Sequence, residues 1–181
     1  MEKQKERKDI NVNDTWDLTL IFKTDEDFYK ELDKVTKEIN DITKYQDHIL
    51  DNSNSLLAFL KQSDDDERKL YKLYYYAHLK LDQDTANTTY QEMEGKISNL
   101  IQKYSVLTSF VMPELMKGDY NKVLEYINEN KELEVYRFNL ECIYRYQKLV
   151  AYINLSFLVA LTLRRLRHGG NSSTSGRHGR P

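Results

Sequence analysis

Arg68–Thr85 reads R-K-L-Y-K-L-Y-Y-Y-A-H-L-K-L-D-Q-D-T. Leu70, Leu73, Tyr74, Ala77 and Leu81 step by three and four, which places them on one face of a helix, while Lys69, Lys72, Lys80 and Asp82 point elsewhere. A face this apolar has to be buried against neighbours. The flanking segments carry the same period with their own start signals, so the expected class is all-α, an antiparallel helical bundle or hairpin array.

On the N-terminal side, Thr24 opens a helix with Asp27 three residues on, a variant of the capping box, and Phe28, Leu32, Val35, Ile39 and Ile42 form its stripe. That helix is expected to reach Tyr45 or Asp47. Ser53 or Asn54 caps a short helix holding Leu56, Leu57, Phe59 and Leu60, and Asp64 with Glu67 forms a second capping pair that starts the Tyr-rich helix. Residues 1–23 read as an arm. Its first 13 residues are charged and aperiodic, and the cluster Trp16, Leu18, Leu20, Ile21 and Phe22 pins it to the bundle with Trp16 as anchor.

On the C-terminal side, Asp84 or Thr85 starts a helix with the stripe Tyr90, Met93, Ile97, Leu100, Tyr104, Leu107 and Val111, and Pro113 ends it. A turn of helix at Glu114–Lys117 closes at Gly118 as C′ residue, and Asp119 restarts with Val123, Leu124 and Ile127. The last helix of the body carries Leu133, Tyr136, Leu140 and Ile143 or Tyr144.

Composition agrees with a helical protein. Six Gly and two Pro in 181 residues leave little punctuation for an all-β fold. The net charge of −2 conceals a break, because residues 1–148 hold 22 basic and 29 acidic side chains while residues 149–181 hold five Arg, no Lys and no acid. An acidic body repels phosphate backbones, so nucleic acid is not the expected partner. Tyr74, Tyr75 and Tyr76 read accordingly as core and groove-filling aromatics. Cys142 is the single cysteine, which permits no internal disulfide and suits a reducing compartment; with no signature of an activating base it reads as a buried structural thiol. The N-terminal M-E-K-Q-K-E-R-K-D lacks the apolar core of a secretory signal, so the expected location is cytoplasmic.

Usage changes abruptly after Lys148, to L-V-A-Y-I-N-L-S-F-L-V-A-L-T-L, then R-R-L-R-H and a Gly- and Ser-rich end. Three readings meet this break. As a membrane anchor, residues 149–163 reach about 22 Å at about 1.5 Å per residue, short of a hydrocarbon core of roughly 30 Å, and Asn154 sits near their middle. As native sequence, they form a buried amphiphilic helix followed by a disordered basic tail. The third reading, which we favour, is that residues 147–181 are a shifted reading frame or a fusion scar, since replacement of Lys-, Glu- and Tyr-rich usage at one point is what a frame change produces.

Four stretches resemble the N-terminal helical region of oligoendopeptidase F, of the thimet-like (M3) zinc metallopeptidases. They are Asp14–Phe28, D-T-W-D-L-T-L-I-F-K-T-D-E-D-F; Tyr76–Thr85, Y-A-H-L-K-L-D-Q-D-T; Ser109–Leu115, S-F-V-M-P-E-L; and Tyr136–Tyr146, Y-R-F-N-L-E-C-I-Y-R-Y. No single one is specific; the weight lies in their order along one chain. The resemblance implies that residues 24–146 form a helical lobe covering the active-site channel of a peptidase for short peptides. It implies zinc held downstream by His-Glu-x-x-His and a later Glu, with the first Glu activating water. Where the family continues after Tyr146 with a Lys-Pro-His linker and an acid-rich helix, this chain departs, at the same place as the composition break.

None of the four histidines, His48, His78, His168 and His178, shows His-Glu-x-x-His spacing. His78 and Asp82 lie at i, i+4 and share a helix face, but no third ligand stands at recognisable spacing, so they read as a surface ion pair or a satisfied core-edge histidine. No catalytic, cofactor-binding or metal-binding residue is assigned, and no cofactor is expected in this chain. The expected function is a truncated peptidase lobe, inert alone, whose partner is the missing catalytic domain. Oligopeptides would meet it only in that context, and exposed apolar surface would favour self-association. The rivals are an autonomous helical interaction module and a small membrane-associated helical protein.

Overall fold

The computed structural model describes residues 9–149, which divide between two units, Met1–Glu134 and Val135–Pro181. The apolar segment 149–163, apart from Leu149, and the basic end lie outside the described residues, as do residues 1–8 of the arm. Within the first unit five α-helices follow one another: α1 Asp25–Glu38, α2 Ser53–Gln83, α3 Thr88–Leu107, α4 Val111–Lys117 and α5 Tyr120–Glu129. Short 3₁₀ turns occur at Val12–Asp14, Leu18–Leu20, Ile39–Tyr45 and Lys131–Tyr136, and no strand is present among the described residues.

The spine is α2, a single helix of 31 residues. The expected break at Asp64 does not occur. Asn52, not Ser53 or Asn54, is the cap, its side chain accepting from Asn54 N and Ser55 N, both at 3.0 Å. The acids that resembled a second cap are instead mid-helix, where Asp65 pairs with Lys69 at 2.7 Å one turn on. Lys69 also reaches Glu38 of α1 at 2.8 Å, so the ion pairs tie the middle of α2 to the end of α1.

Opposite ends of α1 meet α2 in reverse order, Asp25 beside Tyr76 and Lys80, Glu38 beside Lys69. The α2–α3 pair runs likewise, with His78 against Glu94 near their connection and Ser63 against Tyr104 farther away. α2 packs on α1, α3, α5 and the Ile39–Tyr45 turn. The core between them includes Phe28, Val35, Ile39, Ile42, Leu56, Leu73, Ala77, Met93 and Ile97, all fully buried. Burying nine such side chains supplies the main stabilising term, at about 1.5–3 kcal/mol for each large one.

Several boundaries differ from expectation, each for a local reason. Thr24 caps α1 through Asp27 N as expected, but the helix tightens to 3₁₀ at Ile39, keeping Ile39 and Ile42 buried with a shorter turn. Asn87, not Asp84 or Thr85, caps α3, accepting from Thr89 N at 3.0 Å. Pro113 does not end α3, which stops at Leu107; it lies in the first turn of α4, where its missing N–H costs nothing. Gly118 follows α4 at φ −71°, so that end needs no left-handed residue. Asp119 caps α5 through Asn121 N at 2.9 Å, as read. On α5, Tyr126 is buried and Leu124 only half-buried.

The turn entering α2 is held by side chains far along the chain. Asp47 has φ +65°, in the left-handed region that costs a residue with a side chain about 1–2 kcal/mol. The two oxygens of Glu114 accept from Asp47 N at 2.8 Å and Ile49 N at 2.7 Å. Tyr126 Oη donates to the carbonyls of Leu50 at 2.9 Å and Asp51 at 3.2 Å. One carboxylate and one phenol thus satisfy both signs of backbone group in a turn that cannot satisfy them itself.

In the second unit, residues 137–149 are helical. Leu140 and Tyr144 are each 1% exposed, and Ile143 is half-buried.

Candidate functional site

Two of the stretches that carry the family resemblance, Asp14–Phe28 and Tyr76–Thr85, meet in space. Capping by Thr24 starts α1 at Asp25 and aims that carboxylate at α2. Tyr76 Oη donates to Asp25 at 2.7 Å and Lys80 Nζ lies 2.8 Å from the same oxygen. The Lys80 ammonium also stands over the rings of Tyr90 at 5.0 Å and Tyr76 at 5.4 Å. Phe22, Phe28 and Tyr76 close the aromatic floor, with ring centroids 5.2 and 5.6 Å from Tyr76 to Phe22 and Phe28. An open cleft of about 560 Å³ runs between the arm and α2, lined by Trp16, Leu18, Phe22, Lys23, Tyr76 and Lys80 among others.

Burial pushes the Asp25 carboxyl up, but the hydrogen bonds from Lys80 and Tyr76 outweigh it and leave the group below its ordinary range. Tyr76 is driven well above its ordinary value by burial and then by the Asp25 carboxylate. An acid that stays ionised beside a phenol that stays protonated has no group poised to exchange a proton near neutrality. The cluster clamps the start of α1, with Phe22 of the arm, to α2. Trp16 is not the anchor: the residue is 54% exposed and its carbonyl accepts from Gln83 Nε2 at 3.2 Å, while Leu18 and Phe22 are buried. The six-residue run Asp17–Phe22 presents Leu18 and Phe22 inward at i, i+4, which leaves the indole outside the 3₁₀ turn.

His78 and Asp82 do approach, with Nε2 to Oδ2 at 3.8 Å. The other ring nitrogen, Nδ1, faces Glu94 at 3.3 Å, and Tyr74 stacks on the imidazole at 5.0 Å. The two acids therefore address opposite nitrogens and share no point at which one ion could bind both. Among the described residues no group of three or more His, Cys, Asp or Glu is placed to hold a metal, so the zinc implied by the resemblance does not fit this part of the chain. His48 pairs with Asp51 at 2.9 Å on the surface, and His168 and His178 lie outside the described residues. Cys142, expected to be buried, is exposed, because Leu140 and Tyr144 occupy the inward side of its helix.

A feature that spacing did not single out lies in the acidic run of α2. Asp66 is 3% exposed, with Oδ2 lacking a hydrogen-bond partner, and burial raises its carboxyl above the usual range. Glu67 is raised too, by burial and then by Asp64. Beside them a smaller cleft of about 250 Å³ is lined by Glu67, Leu70, Tyr71, Ile101, Tyr104 and Thr108, with Tyr104 pushed up to about 12 by burial. The only signal in the sequence is that four consecutive acids at 64–67 on a helix turn at least one inward.

No family model matches the chain. Oligopeptidase PepF of Bacillus subtilis is 33% identical over 136 residues, 75% of this chain and 20% of its own length. Chromosomal oligoendopeptidase F of Lactococcus lactis subsp. cremoris is 37% identical over 135 residues, 72% of this chain and 22% of its own length. This segment belongs to the oligoendopeptidase F family. The fold agrees: the crystal structure of oligoendopeptidase F from Enterococcus faecium superposes with a TM-score of 0.64 at 28% identity, over 68% of this chain and 24% of that one. The oligoendopeptidase F segment thus spans about a fifth to a quarter of its relatives' length. Within the described residues no helix is long and apolar enough to cross a membrane.

Proposed function

We propose that residues 24–146 are the N-terminal helical lobe of a cytoplasmic oligoendopeptidase F-type zinc metallopeptidase, catalytically inert by itself. The observation that carries this reading is the match at 33–37% identity along about three quarters of the chain to proteins of which it covers only 20–22%. Parent chemistry would be hydrolysis of short peptides by a metal-activated water, and the 181 residues contain no His-Glu-x-x-His to bind that metal. The lobe's own contribution is a rigid helical wall, stiffened by the Asp25–Tyr76–Lys80 clamp and the Glu114 and Tyr126 tethers. Residues 147–181 are a shifted frame or fusion on this reading.

Purified chain mixed with zinc and a fluorescence-quenched oligopeptide should show no turnover. Robust cleavage abolished by a chelator would overturn the claim of inertness. Reading the coding DNA past Tyr146 in all three frames tests the tail: another frame continuing to His-Glu-x-x-His is expected, and its absence would remove the frameshift.

A further inference from the structure

The helix at 137–149 is apolar on two opposite sides. Leu140 and Tyr144 are buried at 1% each on one of them. On the other, Phe138 is 68% exposed, Tyr146 55% and Leu149 53%, with the exposed Cys142 between them and Val135, 78% exposed, in the turn before. The steps of four from Phe138 through Cys142 to Tyr146 keep these side chains within about 80° of arc at 3.6 residues per turn. That is the spacing of a seam made for another helix, and a helix apolar on opposite sides is normally covered on both.

We propose that Val135, Phe138, Cys142 and Tyr146 form the docking seam for the oligoendopeptidase F sequence that follows this segment in its relatives, received as an apolar helix face. The proposal rests on the lobe reading above. Two observations select this occupant over a second copy or the tail. The matched stretch is only 20–22% of each relative's length. The seam also lies on the last stretch of family resemblance, Tyr136–Tyr146, where the rest of the chain would begin.

Cys142 is the sole cysteine and sits inside the seam, so its reactivity reports whether the seam is covered. In the full 181-residue chain at low concentration, maleimide should modify Cys142 at the rate of an exposed thiol. Protection there would overturn the proposal, because the tail or a second copy would already occupy the face. The second measurement uses a chimera in which residues 14–146 replace the matching segment of oligopeptidase PepF of Bacillus subtilis, with modification of the Cys142 peptide followed by mass spectrometry. Modification about tenfold or more slower than in the isolated chain, reversed by Phe138→Lys, is expected. A chimera with chelator-sensitive peptidase activity whose Cys142 reacts as fast as in the isolated chain would overturn the seam and leave the lobe reading intact. A chimera that is inactive with Cys142 fully reactive would overturn both.

Discussion

In α2, which packs against α1 and α3, Leu70, Leu73 and Ala77 are 3% exposed or less; in the helix at 137–149, Phe138 and Tyr146, equally apolar and equally regular in spacing, are 68% and 55% exposed. The period of a helix states that a face requires cover but not what provides it. α2 has its cover within the same unit, since α1 and α3 lie either side of it in sequence and pack on it. The exposed face at 137–149 finds none among the described residues. An unmet stripe beside a partial family match marks an interface.

The largest effect expected from that contrast is its direct test. Leu73→Ala should destabilise the protein by about 2–5 kcal/mol, because it opens a cavity in a closed core. Phe138→Lys, although it removes a larger apolar side chain, should change stability by no more than about 0.5 kcal/mol, because that side chain is 68% exposed. Urea unfolding of both variants decides the matter, and equal losses would break the comparison.

A smaller effect tests why α2 has its cover at all. Glu114→Ala leaves the N–H groups of Asp47 and Ile49 without their acceptor in a turn already at φ +65°. It should cost about 2 kcal/mol. Hydrogen exchange should then quicken at residues 47–52 before it does within α3.

The smallest effect is a gain. Asp66 lies within the covered part of α2, and its carboxyl is raised in the folded state with Lys69, Asp65 and Glu38 as the charges around it. Unfolded chains release that proton near an ordinary pKa of about 3.9. Folding stability therefore falls as pH rises from there through the raised folded value, and the penalty is complete above it. Asp66→Asn should raise stability by about 1 kcal/mol at pH 7 and by nothing near pH 3, where both states hold the proton. A Tm gain that persisted unchanged at pH 3 would show that the carboxyl's charge is not the source.

Much of the fold was legible before any coordinates. Thr24 and Asp119 were read as caps and are caps, because an oxygen side chain two or three residues ahead of a free N–H acts locally. The stripes of α1 and α3 hold for the same reason at Phe28, Leu32, Val35, Met93, Ile97, Leu100 and Tyr104, while Tyr90 and Leu107 are only half-buried and Val111 falls in α4. Asp64-x-x-Glu67 misled because a capping pair and two mid-helix acids are the same letters; partners on α1 and later in α2 keep the helix intact there. Trp16 misled because size suggested an anchor, whereas the 3₁₀ turn at Leu18–Leu20 selects Leu18 and Phe22 for the interior.

The sites divide along the same line. His78 and Asp82 were legible as neighbours at i, i+4, yet Glu94 on the opposite nitrogen comes from α3 and no spacing announces it. The Asp25–Tyr76–Lys80 clamp joins residues 51 positions apart, and the Glu114 tether residues more than 60 apart.

By itself, then, the sequence determined the helical class, the apolar faces, two of the caps and the family, because each depends on residues within a turn or two of one another or on their order along the chain. Tertiary structure alone decided that α2 is one helix, that Asp66 is buried, that Cys142 is exposed and that one apolar seam is left uncovered. Those outcomes depend on which surfaces distant segments bring together, and burial is a property of the pair of surfaces rather than of either one.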